Sequence, residues 1–161
     1  MVAQLSTEEI KILLGEIPDP EIPVISIQEL GMLRKVEFDG KDYVVTITPT
    51  YTACPAMPLI ENQVKEKLAA AGIHNVKVAT TYSPAWSTDW ISEKAKVKLK
   101  EYGIAPPRHS SCIKLSADSK IHCPHCNSLN TEMISRFGST GCKALYRCNS
   151  CKEPFEYFKC H

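Results

Sequence analysis

Only one cysteine, Cys54, lies in the first hundred of the 161 residues, although the chain has eight. The other seven, Cys112, Cys123, Cys126, Cys142, Cys148, Cys151 and Cys160, crowd the last fifty positions. That break separates one ordinary domain of about a hundred residues from a tail too short to bury a secure core of its own. Long hydrophobic runs are missing too, and the opening MVAQLSTEEIKILLGEI is acidic and has no cleavable apolar core. Neither a membrane span nor a secretion signal is therefore expected, which points to the cytoplasm. Reduced thiols there are more often metal ligands or reactive groups than disulfide partners. The chain has no Glu-x-x-His pair for a di-iron bundle and no G-x-G-x-x-G turn for a dinucleotide. With a net charge of +1 it also lacks the basic excess that bulk nucleic-acid binding needs.

The charge is unevenly spread. Residues 1–80 carry eleven acidic and seven basic side chains, and residues 81–161 carry seven and twelve. Part of the second excess is Lys94, Lys96, Lys98 and Lys100, whose spacing suggests a solvated helix face, with a basic docking patch for an acidic partner as the alternative. In the tail Arg136, Lys143, Arg147, Lys152 and Lys159 are scattered beside Phe137 and Tyr146, too dispersed for a nucleic-acid surface.

Ser6 followed by Glu9, with Ile10, Leu13 and Leu14 behind them, predicts a capped first helix ending near Gly15. PDPEIP places three prolines in six residues and predicts a stiff extended loop carrying Asp19 and Glu21. MLRKVEFDGKDYVVTIT predicts a hairpin turning at Asp39-Gly40. From Pro55 to Ala71 the positions Ile60, Val64, Leu68 and Ala71 predict a second helix, closed by Gly72, and NVKVAT predicts a strand. Helix, hairpin, helix, strand is the order of a small α/β (α+β) domain: a small mixed sheet covered by helices, its third strand parallel to the second through a crossover. A third helix follows, with Ser92 as N-cap and Ala95, Leu99 and Tyr102 on one face, and Trp86 and Trp90 are expected to pack on the domain. The expected division is 1–107 for the α/β domain, 108–120 for a linker and 121–161 for the tail.

CPHC at Cys123–Cys126 and CNSC at Cys148–Cys151 are two C-x-x-C knuckles with twenty-one residues between them. Each sets two thiolates on one side of a tight turn, and two such turns together give a tetrahedral S4 site. EMISRFG and KALYRC are expected to form strands between them, making a C-terminal zinc ribbon. A structural zinc contributes on the order of 10 to 16 kcal/mol of apparent folding free energy, far more than a forty-residue core supplies. Rubredoxin-like iron accepts the same S4 geometry, and a redox dithiol pair is the remaining reading. His125, inside a knuckle, is expected to face solvent. Cys142 and Cys160 stand as free thiols or as additional ligand candidates, and Cys112 has no assigned role.

Cys54 precedes the proline that opens the second helix, in TPTYTACP. A helix N-terminus favours an anion by roughly 0.3 to 1 kcal/mol, less than one pKa unit, so a thiol starting near 8.5 stays mostly protonated at neutral pH. No histidine flanks it to make a catalytic pair. Spacing leaves three readings for Cys54: a metal-linked thiol, a buried structural cysteine and a covalent catalyst.

DPEIPVISIQELGMLRKV followed by TPTYTACP resembles the small iron-sulfur-assembly domain of cluster-assembly and Suf-type maturation proteins. Its signature is an Asp-Pro-Glu-x-Pro loop and a threonine four residues before a Cys-Pro, which here are Asp19, Glu21, Thr50 and Cys54. SPAWSTDWISEKAKVKLKEYGIAPP and the cysteine-rich tail resemble, nearly end to end, the D-subunit family of the ring 1,2-phenylacetyl-CoA epoxidase system. The resemblance implies a non-catalytic accessory component of aerobic phenylacetate breakdown that assists maturation of metal centres. It implies Cys54, Asp19, Glu21 and Thr50 in cluster or metal transfer, and Cys123, Cys126, Cys148 and Cys151 around zinc. A transient iron-sulfur cluster or iron is the implied cargo. The partners implied are the di-iron oxygenase and iron-sulfur flavin reductase subunits, or iron-sulfur assembly proteins, and a homodimer is compatible with the pattern. A general cluster carrier outside this pathway, and a thiol enzyme using Cys54, are the alternatives.

Overall fold

Ser6 starts the first helix as expected. Its hydroxyl accepts from the Glu9 N–H while the Glu9 carboxylate accepts from the Ser6 N–H, so two otherwise orphaned donors are satisfied reciprocally. The computed structural model describes residues 5–108 and 120–159. It divides into two compact units, Met1–Trp86 and Ser87–His161.

In the first unit α1 (Thr7–Leu14) leads to the hairpin β1 (Leu33–Phe38) and β2 (Tyr43–Ile47), then to α2 (Met57–Ala70) and β3 (Val76–Thr80). The turn of the hairpin is set by the Asp39 carboxylate, which accepts from the N–H groups of Lys41 and Asp42. The sheet order is β1-β2-β3, with β1 antiparallel and β3 parallel to β2, so α2 is the crossover expected from the sequence. One sheet face supplies the buried Tyr43, Val45 and Ile47, and α2 supplies Ile60, Val64 and Leu68, each of these three fully buried. α2 closes with Gly72 at φ +81°, and the Ile73 N–H returns to the Leu68 carbonyl.

The proline loop differs from its expected extended form. It folds back on itself, with the Asp19 N–H donating to Ile25 and the Ile27 N–H to Ile17. The apolar residues among and beside its prolines drive this: Ile17, Ile22, Ile25 and Ile27 are all buried, which an extended loop would have left in water. Trp86 packs as expected, 5% exposed, with its indole N–H donating to the Leu30 carbonyl at 2.8 Å.

The second unit contains a short 3-10 turn (Thr88–Trp90), α3 (Glu93–Glu101) capped by the Ser92 hydroxyl, and a four-stranded sheet. Its strands are β4 (Ile104–Ala105), β5 (Thr131–Ser135), β6 (Lys143–Cys148) and β7 (Pro154–Phe158), in the order β4-β7-β6-β5. β5 and β6 are the expected ribbon strands, whereas β7 and β4 are additional. Their presence changes the expected division at residues 107 and 108. Ile104 and Ala105 pair parallel with Glu156 and Tyr157, so α3 and the strand after it group with the cysteine-rich tail rather than with the α/β unit. The expected linker 108–120 lies largely outside the described residues. Ala95 and Leu99 are fully buried, but Tyr102 is 54% exposed, because the helix stops at Glu101 and Gly103, at φ +92°, turns the chain away. Trp90, half-buried, belongs to this unit and not to the first.

A core of Ala144, Tyr146, Phe155 and Tyr157 fills the second sheet, with the Tyr146 and Phe155 rings stacked at 5.7 Å. At its end Lys143, 3% exposed, pairs with Glu156 at 2.8 Å, and Glu156 also accepts from the Ser139 N–H. These bonds hold the Glu156 carboxyl below the usual range against the burial that would raise it.

Leu68→Ala is expected to cost roughly 2–5 kcal/mol, because the fully buried helix face cannot close over the lost volume. Lys65→Ala, exposed on the same helix, should stay within about 0.5 kcal/mol. Urea unfolding followed by circular dichroism measures both.

Candidate metal and thiol sites

The two knuckles have the same local construction. In the first, the Asn127 N–H donates to the Cys123 carbonyl at 2.8 Å and Asn127 takes φ +62°. In the second, the residue after the last cysteine, Lys152, takes φ +69°, and the Cys148 N–H donates to the Glu153 carbonyl. Each left-handed residue reverses the chain immediately after its second cysteine, so both sulfurs of a pair face the same side. Asn accepts that conformation readily, while Lys does so at a steric cost of about 1–2 kcal/mol. The hydroxyls of Ser128 and Ser150, 2.9 Å apart, tie one knuckle to the other.

The result is the convergence expected from the spacing. The sulfurs of Cys123, Cys126, Cys148 and Cys151 all lie within 4.8 Å of one another, with Cys123 and Cys151 at 3.7 Å and Cys126 and Cys148 at 3.5 Å. A tetrahedral ion with metal–sulfur bonds of about 2.3 Å needs sulfur–sulfur edges of about 3.8 Å. The four thiols fit such an ion. Electrostatics point the same way: Cys148 is lowered to about 6, chiefly because the Cys151 N–H bonds its sulfur. For Cys151 the Glu153 N–H works downward, but burial and the thiols of Cys148, Cys126 and Cys123 outweigh it, pushing it up to about 12. One thiolate forms easily here and the next resists, which is the pattern a divalent cation relieves.

His125 is exposed and stands outside this group, as expected. Cys142 also lies outside it, buried, with its sulfur 3.1 Å from the Thr140 hydroxyl. Cys112 and Cys160 lie outside the described residues.

In the first unit the structure brings Cys54 and the proline loop together. The helix begins later than the sequence suggests: α2 starts at Met57, Ala56 is its N-cap without any side-chain cap, and Pro58 sits in the first turn. Cys54 thus lies in the turn before the helix, its N–H donating to the Tyr51 carbonyl and its own carbonyl accepting from the Met57 N–H at 3.5 Å, and the nearby N–H groups of Ala56 and Met57 favour charge on its sulfur. Those two backbone donors are functional groups that no sequence motif names, since any residue after the Cys-Pro pair could supply them. Asp19 is 6% exposed, and its carboxylate accepts from the N–H groups of Glu21 and Ile22 at 2.9 and 2.8 Å. Thr50 is buried in the turn leading to Cys54. Burial is the main influence on the Cys54 thiol and raises its pKa above the ordinary value; the charges of Glu21 and Asp19 raise it further, against the Ala56 and Met57 donors. The site therefore holds a neutral thiol at neutral pH, shielded on one side and faced by two carboxylates.

Two family models match the chain in succession. Residues 7–80 match the iron-sulfur cluster assembly protein family, and residues 107–159 match the PaaD zinc beta ribbon domain. Among curated proteins, the chain is 47% identical over 159 residues to the putative D subunit of the 1,2-phenylacetyl-CoA epoxidase of Escherichia coli, covering 99% of this chain and 96% of the other. It is 40% identical over 99 residues to an Fe-S protein maturation auxiliary factor of Porphyromonas gingivalis, covering 59% of this chain and 92% of that one. A crystal structure of a DUF59 domain from Bacillus anthracis superposes with a TM-score of 0.53 at 27% identity, over 58% of this chain and 90% of that one.

The raised Cys54 pKa has a measurable sign. Alkylation by iodoacetamide, which consumes thiolate, should show a pH midpoint above the roughly 8.5 of a free cysteine. Glu21→Gln removes a neighbouring negative charge and should move that midpoint down; Asp19→Asn should do so less, while keeping the acceptor oxygen of its turn. Mass spectrometry of Cys54 labelling across pH checks the order.

Proposed function

The chain belongs to the D-subunit family of the 1,2-phenylacetyl-CoA epoxidase, and from that premise we propose that it is an accessory protein of that oxygenase system which helps its partner subunits acquire iron or iron-sulfur centres. The observation that carries the proposal is the surrounding of Cys54: a soft ligand kept neutral by burial, with Glu21 and Asp19 acting on it, in the part of the chain that matches the iron-sulfur cluster assembly family. A thiol nucleophile needs a depressed pKa, whereas the surroundings here push it up. A thiol that waits for a soft metal tolerates a raised pKa, because coordination itself removes the proton. In this reading the Cys54 sulfur would take the place of one ligand on the iron of the cargo, that ligand leaving with its donor, and the thiol proton would be lost to solvent beside the Glu21 and Asp19 carboxylates. Asp19, fixed by two backbone donors, keeps the loop and its charge facing the thiol. Thr50 packs the turn that presents Cys54. The relatives named as maturation auxiliary factors support this role, and the epoxidase relative supports the pathway.

The second unit, in the same proposal, carries a resident zinc on Cys123, Cys126, Cys148 and Cys151 that holds the ribbon together and has no part in the transfer. No helix among the described residues is long and apolar enough to cross a membrane, and we place the work in the cytoplasm beside the oxygenase and reductase subunits.

Two outcomes are expected. Elemental analysis should find one zinc per chain, and strong chelator should render the segment after Lys120 protease-sensitive while residues 7–80 stay folded; a metal-free purified protein with a protected tail would overturn the zinc assignment. Cys54→Ser should remain folded and retain its zinc, yet cells carrying it should accumulate oxygenase and reductase subunits depleted in iron, because serine binds soft metals poorly at neutral pH. Full partner iron content beside a folded Cys54→Ser protein would return Cys54 to a structural role.

A further inference from the structure

Within the second unit a cleft of about 210 Å³ opens between the end of α3 with the segment after it and the first knuckle. Its walls are apolar, formed in part by Pro106, Ile121 and Pro124, and its rim carries Lys100, Arg108 and His122. Among the described residues no carboxylate lines it. Lys100 and Arg108 are exposed, and neither forms an ion pair among the described residues. That sets Lys100 apart from its helix neighbour Lys96, whose ammonium bonds Glu93 at 2.8 Å. The Arg108 N–H lies beside the Tyr157 hydroxyl of β7. The His122 Nδ1 faces the Asn127 carbonyl at 3.0 Å and so carries its proton there, leaving Nε2 available at the rim.

We propose that this cleft docks an acidic segment of a partner protein, one that presents an aliphatic or aromatic side chain next to a carboxylate. The apolar floor accepts the side chain, and Lys100 and Arg108 accept the charge, Arg108 with a planar fork suited to a carboxylate. Charge complementarity selects the occupant: two cations with no ion-pair partner among the described residues, over a proline-lined floor, favour a peptide that is both acidic and apolar over a purely apolar one or a second copy of this basic face. A groove of this volume takes one or two side chains, which suits a short linear segment rather than a broad flat interface. The inference rests on the reading of this chain as a protein that works on others, and it gives the second unit a role in choosing them.

The test is fluorescence polarisation of a labelled Glu-Leu-Glu-Phe-Glu peptide against the full metal-loaded chain. Saturable binding is expected, weakening at least tenfold in Lys100→Glu/Arg108→Glu, to a smaller degree in Lys100→Gln/Arg108→Gln, and at least tenfold for the Gln-Leu-Gln-Phe-Gln peptide. Both variants should keep their metal content and circular dichroism. The proposal is overturned if the wild type does not bind, if charge reversal in a folded variant changes nothing, or if inorganic phosphate displaces the peptide at equal concentration. It is also overturned if a Gly/Ser replacement of residues 109–119 raises affinity tenfold, which would make this chain's own segment the occupant, or if the charge reversal dissolves a dimer in sedimentation. Cys54→Ser separates the two readings: peptide binding kept with partner iron restored to normal sinks the transfer role alone, and partner iron lost without any peptide binding sinks the cleft alone.

Discussion

Four sulfur atoms held within 4.8 Å of one another are a demanding arrangement for a chain to maintain. As thiolates they repel, and as thiols they are poor hydrogen-bonding groups that gain little from proximity. The knuckle backbones nevertheless use two left-handed residues, Asn127 and Lys152, to bring them together. Everything else in the second unit follows from that convergence. β5 and β6 run from one knuckle to the other, and β7 leaves the second knuckle to become an interior strand. β7 in turn offers its far edge to Ile104 and Ala105, which fixes where α3 ends and where the cleft beside it opens. Lose that convergence and each of these steps loses its anchor, since the sheet's apolar core is confined to a few side chains.

The first unit works by a balance of a different kind. Two backbone donors at the start of α2 favour charge on Cys54, while burial and two carboxylates oppose it, and the opposition prevails. A cysteine placed only to fill space would need neither set. Burial shapes the proline loop as well: its isoleucines go inward, and the inward fold is what brings Asp19 and Glu21 back toward the thiol.

Much of this was legible in the residues. The capping box at Ser6, the hairpin turn at Asp39-Gly40 and the Gly72 stop are local devices whose chemistry is complete within a few positions, and they appear where the sequence puts them. The four-thiol cluster is legible for the same reason, because C-x-x-C dictates its own turn. The features that were not legible depend on partners distant in the chain. PFEYF begins with a proline, and only pairing with both β4 and β6 makes it an interior strand; Ile104–Ala105 is too short to announce itself and exists only because β7 has a free edge. Tyr102 fits a helical period but falls one residue past the helix's end. Pro55 reads as a helix opener, yet the chain makes one more turn before Met57, and that extra turn sets Cys54 ahead of the helix, with the Met57 N–H closing on its carbonyl.

Lys143 and Glu156 place a salt bridge at the end of a sheet whose interior is mostly apolar. A carbon atom added at Gly138 would stand 2.5 Å from the Glu156 carboxylate, and that carboxylate is at once the partner of the Lys143 ammonium and the acceptor for Ser139. The three positions therefore form a lock with a fixed order of failure. A side chain at Gly138 presses first on the Glu156 oxygen that accepts from Ser139, and where the carboxylate moves far enough to leave Lys143 as well, an ammonium is stranded in a dry site on the strand that leads into Cys148. In the drift of sequences over time such positions are not free to change one by one: glycine, glutamate and lysine here should be inherited, or lost, as a set.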